Sequence, residues 1–281
     1  MTQPVWLPDS AARERSRTAA FMAAHAIGDY ASLVERSIRD PEWFWDAVID
    51  FLGPPFQRRH TRVLDDSAGA PWSRWFDDGA INLSVVCLDR WADDPEHAHR
   101  VALVGESEDG RVVQATFAAL RDEVAQLAGA LAQRGVRPGD RVALLLGLDD
   151  AVRVFLAIAR LGAIAVPIFS GFGAGAVQVR LVDGGCTVLV TASSATRRGR
   201  PVSLRAVADQ AAAEARELGV DCAVVEVAEL RSSGASPVAA AITDSETPVL
   251  LAYTSGTTGR PKGAVHVHGG LTVKLAQEGA F

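Results

Sequence analysis

The densest run of chemistry-bearing residues is Thr254-Ser255-Gly256-Thr257-Thr258-Gly259-Arg260-Pro261-Lys262-Gly263. It lies between two apolar stretches, residues 248–253 and 264–267. Gly256, Gly259 and Gly263 allow positive φ and close backbone approach. Thr254, Ser255, Thr257 and Thr258 supply hydroxyl donors, and successive backbone N–H groups in such a turn can cradle an anion. Lys262 adds a mobile positive charge, and Pro261 stiffens the exit. Together these suit a polyphosphate, with nothing directed at a neutral sugar. The common P-loop needs a Gly, four residues, then Gly-Lys-Ser/Thr opening a helix. Here Gly259 is followed by Arg260-Pro261, and Lys262 by Gly263 and an apolar run, so that class of NTPase is disfavoured on spacing.

Other candidate groups are weaker. Arg197-Arg198-Gly199-Arg200 is a short basic run, and charge runs usually face solvent. His266 and His268 would share one face of a strand and could reach one metal. No carboxylate or cysteine lies near them in sequence, so a structural turn is expected and no metal is assigned. His97 and His99 sit in a polar stretch that reads as a solvated loop. Cys87, Cys186 and Cys222 are sparse, odd in number and without metal spacing. They read as free thiols, chiefly buried small hydrophobes, in a reducing cytoplasm.

The elements that must position these residues change character near residue 90. Residues 1–90 hold Trp6, Trp43, Trp45, Trp72 and Trp75, with breaks at Gly53-Pro54-Pro55 and Pro71. Periodicity is poor there. A helix is expected over 40–52, capped by Asp40 with Pro41 at its first position. The rest reads as an irregular cover, unlikely to fold alone.

Residues 91–281 alternate strand and helix. Strands are expected at 101–105, 141–146, 163–169, 187–191 and 222–227. Helices are expected from Thr116 to Gln133, closed by Gly135, and over 150–161, 176–182 and 203–218, the last closed by Gly219. Residues 231–248 read as a surface connection. This alternation predicts an α/β fold with a mostly parallel sheet and helices on both faces. Ligands then belong beyond the carboxyl ends of the strands.

Composition narrows the partners. With 48% hydrophobic and 22% charged residues, the chain has an ordinary globular balance. A net charge of −6 gives no sign of a nucleic-acid or anionic-membrane partner. The longest apolar runs are interrupted by Asp149, Asp150, Arg153 and Arg160, so no membrane span is expected.

The string Tyr253-Thr-Ser-Gly-Thr-Thr-Gly-Arg-Pro-Lys-Gly263 resembles the phosphate-binding signature of the adenylate-forming superfamily, which includes acyl-CoA synthetases, luciferases and peptide-synthetase adenylation domains. Asp40-Pro-Glu-Trp-Phe-Trp45, Trp75-Phe-Asp-Asp-Gly-Ala-Ile-Asn82 and Cys87-Leu-Asp-Arg90 resemble segments of its acetyl-CoA-synthetase branch. Gly135-Val-Arg-Pro-Gly-Asp-Arg-Val142, residues 156–163, Phe169-Ser-Gly-Phe172 and residues 191–200 resemble others. The resemblance implies the incomplete large domain of the adenylate-forming fold, with an N-terminal cover over 1–90 and the first part of the AMP-binding domain over 91–281. It implies ATP and coenzyme A as substrates with a small carboxylic acid of short or medium chain, plus Mg2+ held with the remainder of the enzyme.

By that resemblance, Thr254, Ser255, Gly256, Thr257, Thr258, Gly259 and Lys262 hold the ATP phosphates. Phe169, Ser170, Gly171, Arg197 and Arg200 match family contacts to coenzyme A. The catalytic lysine, the magnesium-binding glutamate, the ribose-binding aspartate and the acyl pocket have no counterpart here. The chain is therefore expected to be an N-terminal part, inactive alone or completed by a second chain. The alternative is a non-catalytic nucleotide- or CoA-binding module. A sheet ending beside Tyr253 is also expected to expose an apolar edge that needs cover. Where family members often carry a proline and a glutamate, residues 147–150 read Gly-Leu-Asp-Asp, and residues 231–246 are shorter than in the family.

Overall fold

The computed structural model describes residues 8–108, 110–254 and 261–281. The chain opens with helices α1 (Ser10–Glu14), α2 (Arg17–Ala24), α3 (Tyr30–Arg39) and α4 (Pro41–Leu52). Asp9, Ser16, Asp29 and Asp40 cap them in turn, each accepting from the backbone N–H three residues on. The capped helix expected over 40–52 is present, with Pro41 in its first turn and Gly53 in the left-handed conformation behind it. The three helices before it were not legible. α1 and α2 are short and bury only Phe21, while α3 does carry an apolar stripe of Tyr30, Leu33, Val34 and Ile38, of which only Leu33 is buried.

A hairpin of β1 (Arg62–Asp65) and β2 (Arg74–Asp77) follows, then a π-helical stretch, Val85–Asp89, running into α5 (Arg90–Ala92). Next come β3 (Val101–Glu106) and β4 (Val112–Thr116). The strand expected at 101–105 exists, but it pairs antiparallel with β4 as a separate ribbon. Val101, Val104 and Val112 are exposed, so this segment lacks the burial on both faces that a central parallel strand needs.

From Thr116 the expected alternation appears: α6 (Phe117–Gln133), β5 (Arg141–Leu145), α7 (Leu148–Leu161), β6 (Ile164–Pro167), α8 (Ala174–Gly184) and β7 (Val188–Thr191). A small hairpin, β8 (Ala195–Arg197) and β9 (Arg200–Val202), precedes α9 (Leu204–Glu217), β10 (Ala223–Glu226) and α10 (Val227–Arg231). The described chain closes with β11 (Pro248–Thr254), β12 (Lys262–Val267) and α11 (His268–Ala280). None of the described helices is long and apolar enough to cross a membrane.

The main sheet has the order β10-β7-β5-β6-β11-β12, parallel throughout except for β12. Alternate residues of β5 show its two-sided burial. Val142 and Leu144 join a core with α6 and α7, while Ala143 and Leu145 join one with α8 and α9. A third core gathers Phe21, Val48, Ile49 and Phe76 with Val273 of α11, and Phe281 packs against it.

Two expectations need correction. Residues 231–248 form a strap with buried anchors: Thr243 and Ser245 are 5% and 2% exposed. Ile81 N–H donates to Thr243 O and Thr243 Oγ1 donates to Ile81 O, while Arg160 Nε donates to Val238 O at 2.7 Å. A Cβ on Gly129 would collide with Ser236 O, so the strap lies directly on α6. Its Ser, Ala and Pro residues are small enough for that close approach, which is why composition alone reads them as surface. Second, β11 is not the edge. β12 pairs with it along its length, and the outer strand is the exposed β12, with Val265 60% exposed.

Candidate functional site

Strands β5, β6, β7 and β11 run parallel, so the segments leaving them emerge at one end of the sheet. Helix α7, which follows β5, and α8, which follows β6, pack on opposite faces. The exits of β5 and β6 therefore diverge and open a crevice of the kind that holds ligands in such sheets.

Thr254 ends β11 and Lys262 begins β12, and the two are register partners. Thr254 Oγ1 approaches Lys262 O at 3.4 Å, and both residues are exposed. The hairpin ladder thus fixes both flanks of the 255–260 segment at the ligand end of the sheet. Ser255, Gly256, Thr257, Thr258 and Gly259 lie outside the described residues. His266 sits on β12 and His268 opens α11, so the pair is split between two elements. His268 is fully buried, and its Nδ1 accepts from Leu83 N–H at 3.1 Å. Burial pushes its pKa down to about 4. It is a neutral structural group that ties α11 to the segment after β2. Among the described residues no group of three or more His, Cys, Asp or Glu could hold a metal ion.

The segment leaving β6 and the hairpin after β7 meet. Arg197 lies over the ring of Phe169, 4.8 Å from its centroid, and leaves no room for a Cβ at Gly171. Glycine is required there for the guanidinium to lie against the backbone. Phe169 is 56% exposed, Ser170 half-buried, and Arg200 exposed opposite Arg197 in the hairpin register. Arg197, Arg198, Arg200 and Val202 line an open depression of about 550 Å³. The turn of this hairpin takes Arg198 and Gly199 to positive φ, and Gly199 N–H donates to the Glu108 carboxylate at 3.2 Å. The structure therefore brings Phe169, Gly171 and Arg197 into one contact set, with Ser170 and Arg200 at its margin. Such clustered guanidinium groups favour phosphate oxygens.

Arg180 and Asp183 were not found from sequence, and Tyr253 was named only as the first residue of the signature string. Arg180 is 8% exposed and its guanidinium lies 4.4 Å from the Phe172 centroid and 5.6 Å from that of Tyr253. Tyr253 Oη donates to Asp183 Oδ2 at 2.6 Å. Burial and the Asp183 carboxylate together push the Tyr253 phenol well above its usual pKa. Arg180 and Asp183 are three apart on α8 and so share a face. Only the fold brings that face to the exits of β6 and β11. Burial pushes the Cys186 and Cys222 thiols up to about 12, and desolvation also raises that of Cys87, whose residue surface is exposed, to about 11.

Comparison with known proteins gives a consistent result. Residues 88–279 match the family described as AMP-binding enzyme, and residues 30–87 match the acetyl-coenzyme A synthetase N-terminus. An acetyl-coenzyme A synthetase of Burkholderia lata is 35% identical over 288 residues, covering 95% of this chain and 42% of the relative. One from Mycobacterium tuberculosis is 39% identical over 277 residues, covering 89% of this chain and 41% of the relative. Among solved structures, an acetoacetyl-CoA synthetase from Streptomyces lividans matches with a TM-score of 0.87 at 29% identity, over 99% of this chain and 45% of its own. The chain thus spans about two fifths of the length of the curated relatives it matches.

Proposed function

The chain belongs to the AMP-binding enzyme family, and on that premise we propose that it forms the N-terminal part of an ATP-dependent, AMP-forming acyl-CoA synthetase. The reaction joins a carboxylate and ATP to an acyl-adenylate with release of pyrophosphate, then transfers the acyl group to coenzyme A with release of AMP. A short- or medium-chain acid is the proposed substrate, in keeping with the acetyl-coenzyme A synthetase relatives. The observation that carries this reading is the β11–β12 hairpin. Its ladder sets Thr254 and Lys262 on either side of Ser-Gly-Thr-Thr-Gly at the ligand end of a parallel sheet.

In this reading Thr254, Ser255, Gly256, Thr257, Thr258 and Gly259 grip the β- and γ-phosphates, and Lys262 offsets their charge. Their contribution is positioning and charge stabilisation while the carboxylate oxygen attacks the α-phosphorus and the pyrophosphate oxygen leaves. Arg197 and Arg200 take the phosphates of coenzyme A, with Phe169, Ser170 and Gly171 along its arm. Among the described residues no group of three or more His, Cys, Asp or Glu could hold a metal ion, and in this reading Mg2+ is held with the remainder of the enzyme. Residues 1–90 serve as the cover segment and 91–281 as the first part of the AMP-binding domain. The buried thiols Cys186 and Cys222 suit a reducing compartment, and the cytoplasm is the proposed location.

In this reading the acyl pocket, the ribose aspartate and the catalytic lysine of the family are supplied outside these 281 residues. The chain alone is therefore expected to bind coenzyme A without completing adenylation. Acid-dependent ATP–pyrophosphate exchange, with acetate, propionate and longer acids, tests this beside a coenzyme A titration. Binding without exchange supports the reading. Exchange above background would show a complete adenylation site within the chain and overturn it.

A further inference from the structure

Arg180 stands out among the buried charges. It is 8% exposed, and among the described residues it makes one hydrogen bond, from Nη1 to Ala176 O at 2.7 Å, and pairs with no carboxylate. A buried, unpaired guanidinium is costly unless something else compensates it. Here two aromatic rings lie within reach of the guanidinium, Phe172 at 4.4 Å and Tyr253 at 5.6 Å from centroid.

The contacts continue in both directions. Phe172 meets Phe169 edge to face, with centroids 5.5 Å apart, and Phe169 carries the Arg197 guanidinium. At the other end Tyr253 is held by Asp183 and leads directly into Thr254. The order is Arg197–Phe169–Phe172–Arg180–Tyr253, a single file of cations and rings across the exits of β7, β6 and β11. One end is the arginine hairpin, and the other is the strand that feeds the phosphate-binding segment.

We propose that Arg180 is a positioning residue that couples an anion bound at the Arg197–Arg200 hairpin to the setting of Tyr253 and Thr254. The inference rests on the reading of that hairpin as a nucleotide-phosphate site. A phosphate that engages Arg197 competes with the face of Phe169 for the guanidinium. Phe169 and Phe172 then repack, which changes what holds Arg180 against Tyr253. Because coupling is reciprocal, a polyphosphate beside Thr254 alters the affinity of the hairpin for its own ligand by the same factor.

The test is amide hydrogen exchange, resolved by residue, on the 281-residue chain with and without adenosine 3′,5′-bisphosphate. In the unaltered chain the ligand changes exchange at residues 195–202 and, by about fivefold, at Tyr253 and Thr254. In Arg180→Met the response at 195–202 persists and that at Tyr253 and Thr254 is lost. Arg180→Lys, which keeps a cation near both rings, recovers part of it, an effect that a purely structural role does not produce. If Arg180→Met does not fold, Phe172→Leu breaks the same file one step earlier and carries the same expectation. An undiminished response at Tyr253 and Thr254 in these variants overturns the coupling, as does a hairpin response without any at Tyr253 in the unaltered chain. No response at 195–202 in the unaltered chain removes the phosphate-site reading itself, and the coupling with it.

Discussion

The parallel sheet and the N-terminal cover are built by different rules. In the sheet, the parallel strands β5, β6 and β7 bury alternate residues toward two helical layers, and β5, α7, β6, α8 and β7 follow one another along the chain. The cover has no such local pattern. Its core joins Phe21, Val48 and Phe76 to Val273 and Phe281, residues from opposite ends of the sequence. The cover is therefore completed by α11, the helix that continues directly from the β11–β12 hairpin. The residues proposed to bind ligand lie on the locally built half, while the aromatic half closes around α11.

The largest expected effect tests that closure. Phe21 is fully buried, with ring contacts to His25, Trp43, Phe44, Phe51 and Phe281. Phe21→Ala should cost about 3–5 kcal/mol in denaturant unfolding. If cover and sheet share α11 as described, tryptophan fluorescence and far-UV circular dichroism of this variant should still report one coincident transition. Two separated transitions would break the claim that the halves are joined.

His268 probes the joint itself. Its folded pKa, about 4, lies below the ordinary 6.5. The unfolded chain thus binds the extra proton first, and stability falls as pH drops from about 6.5 toward 4, then levels off below that. The loss should be on the order of 3 kcal/mol. His60, also lowered by burial, adds a slope of the same sign. His268→Asn should flatten the pH dependence of the unfolding midpoint over this window. An unchanged slope would remove His268 as its source.

Smaller effects sharpen the contrast within the sheet half. Gly129→Ala improves helix propensity, yet its Cβ meets Ser236 O of the strap, so a loss of about 1–3 kcal/mol is expected. A gain in melting temperature would show that the strap does not rest on α6. Thr116→Ala removes the hydroxyl that accepts from Ala119 N–H and should cost about 1 kcal/mol.

The same contrast explains what was legible. Helix α6 could be bounded from Thr116 to Gln133 because a cap, an apolar stripe and Gly135 at positive φ all lie within one stretch. The parallel strands were found from their uninterrupted apolar runs. The second strand of the β3–β4 ribbon was missed even though Asp109-Gly110, a dipeptide that favours hairpin turns, lies between the two strands in the sequence. The strap was misread because burial by close approach leaves small residues with no hydrophobic mark. Residues 254–262 read as a phosphate-binding run from hydroxyls, glycines and a lysine alone, and among them the structure describes Thr254, Pro261 and Lys262. The Arg180–Tyr253 contact was not legible, because it depends on which face of α8 meets the end of β11.

The most direct measurement of the central claim is a calorimetric titration of ATP into the chain and into Lys262→Ala. If the β11–β12 hairpin grips the phosphates, the chain binds ATP and the variant binds it about tenfold or more weakly, the loss of one charge-assisted contact. Equal affinity in both, or no binding by the unaltered chain, would contradict the assignment of the hairpin as the phosphate site.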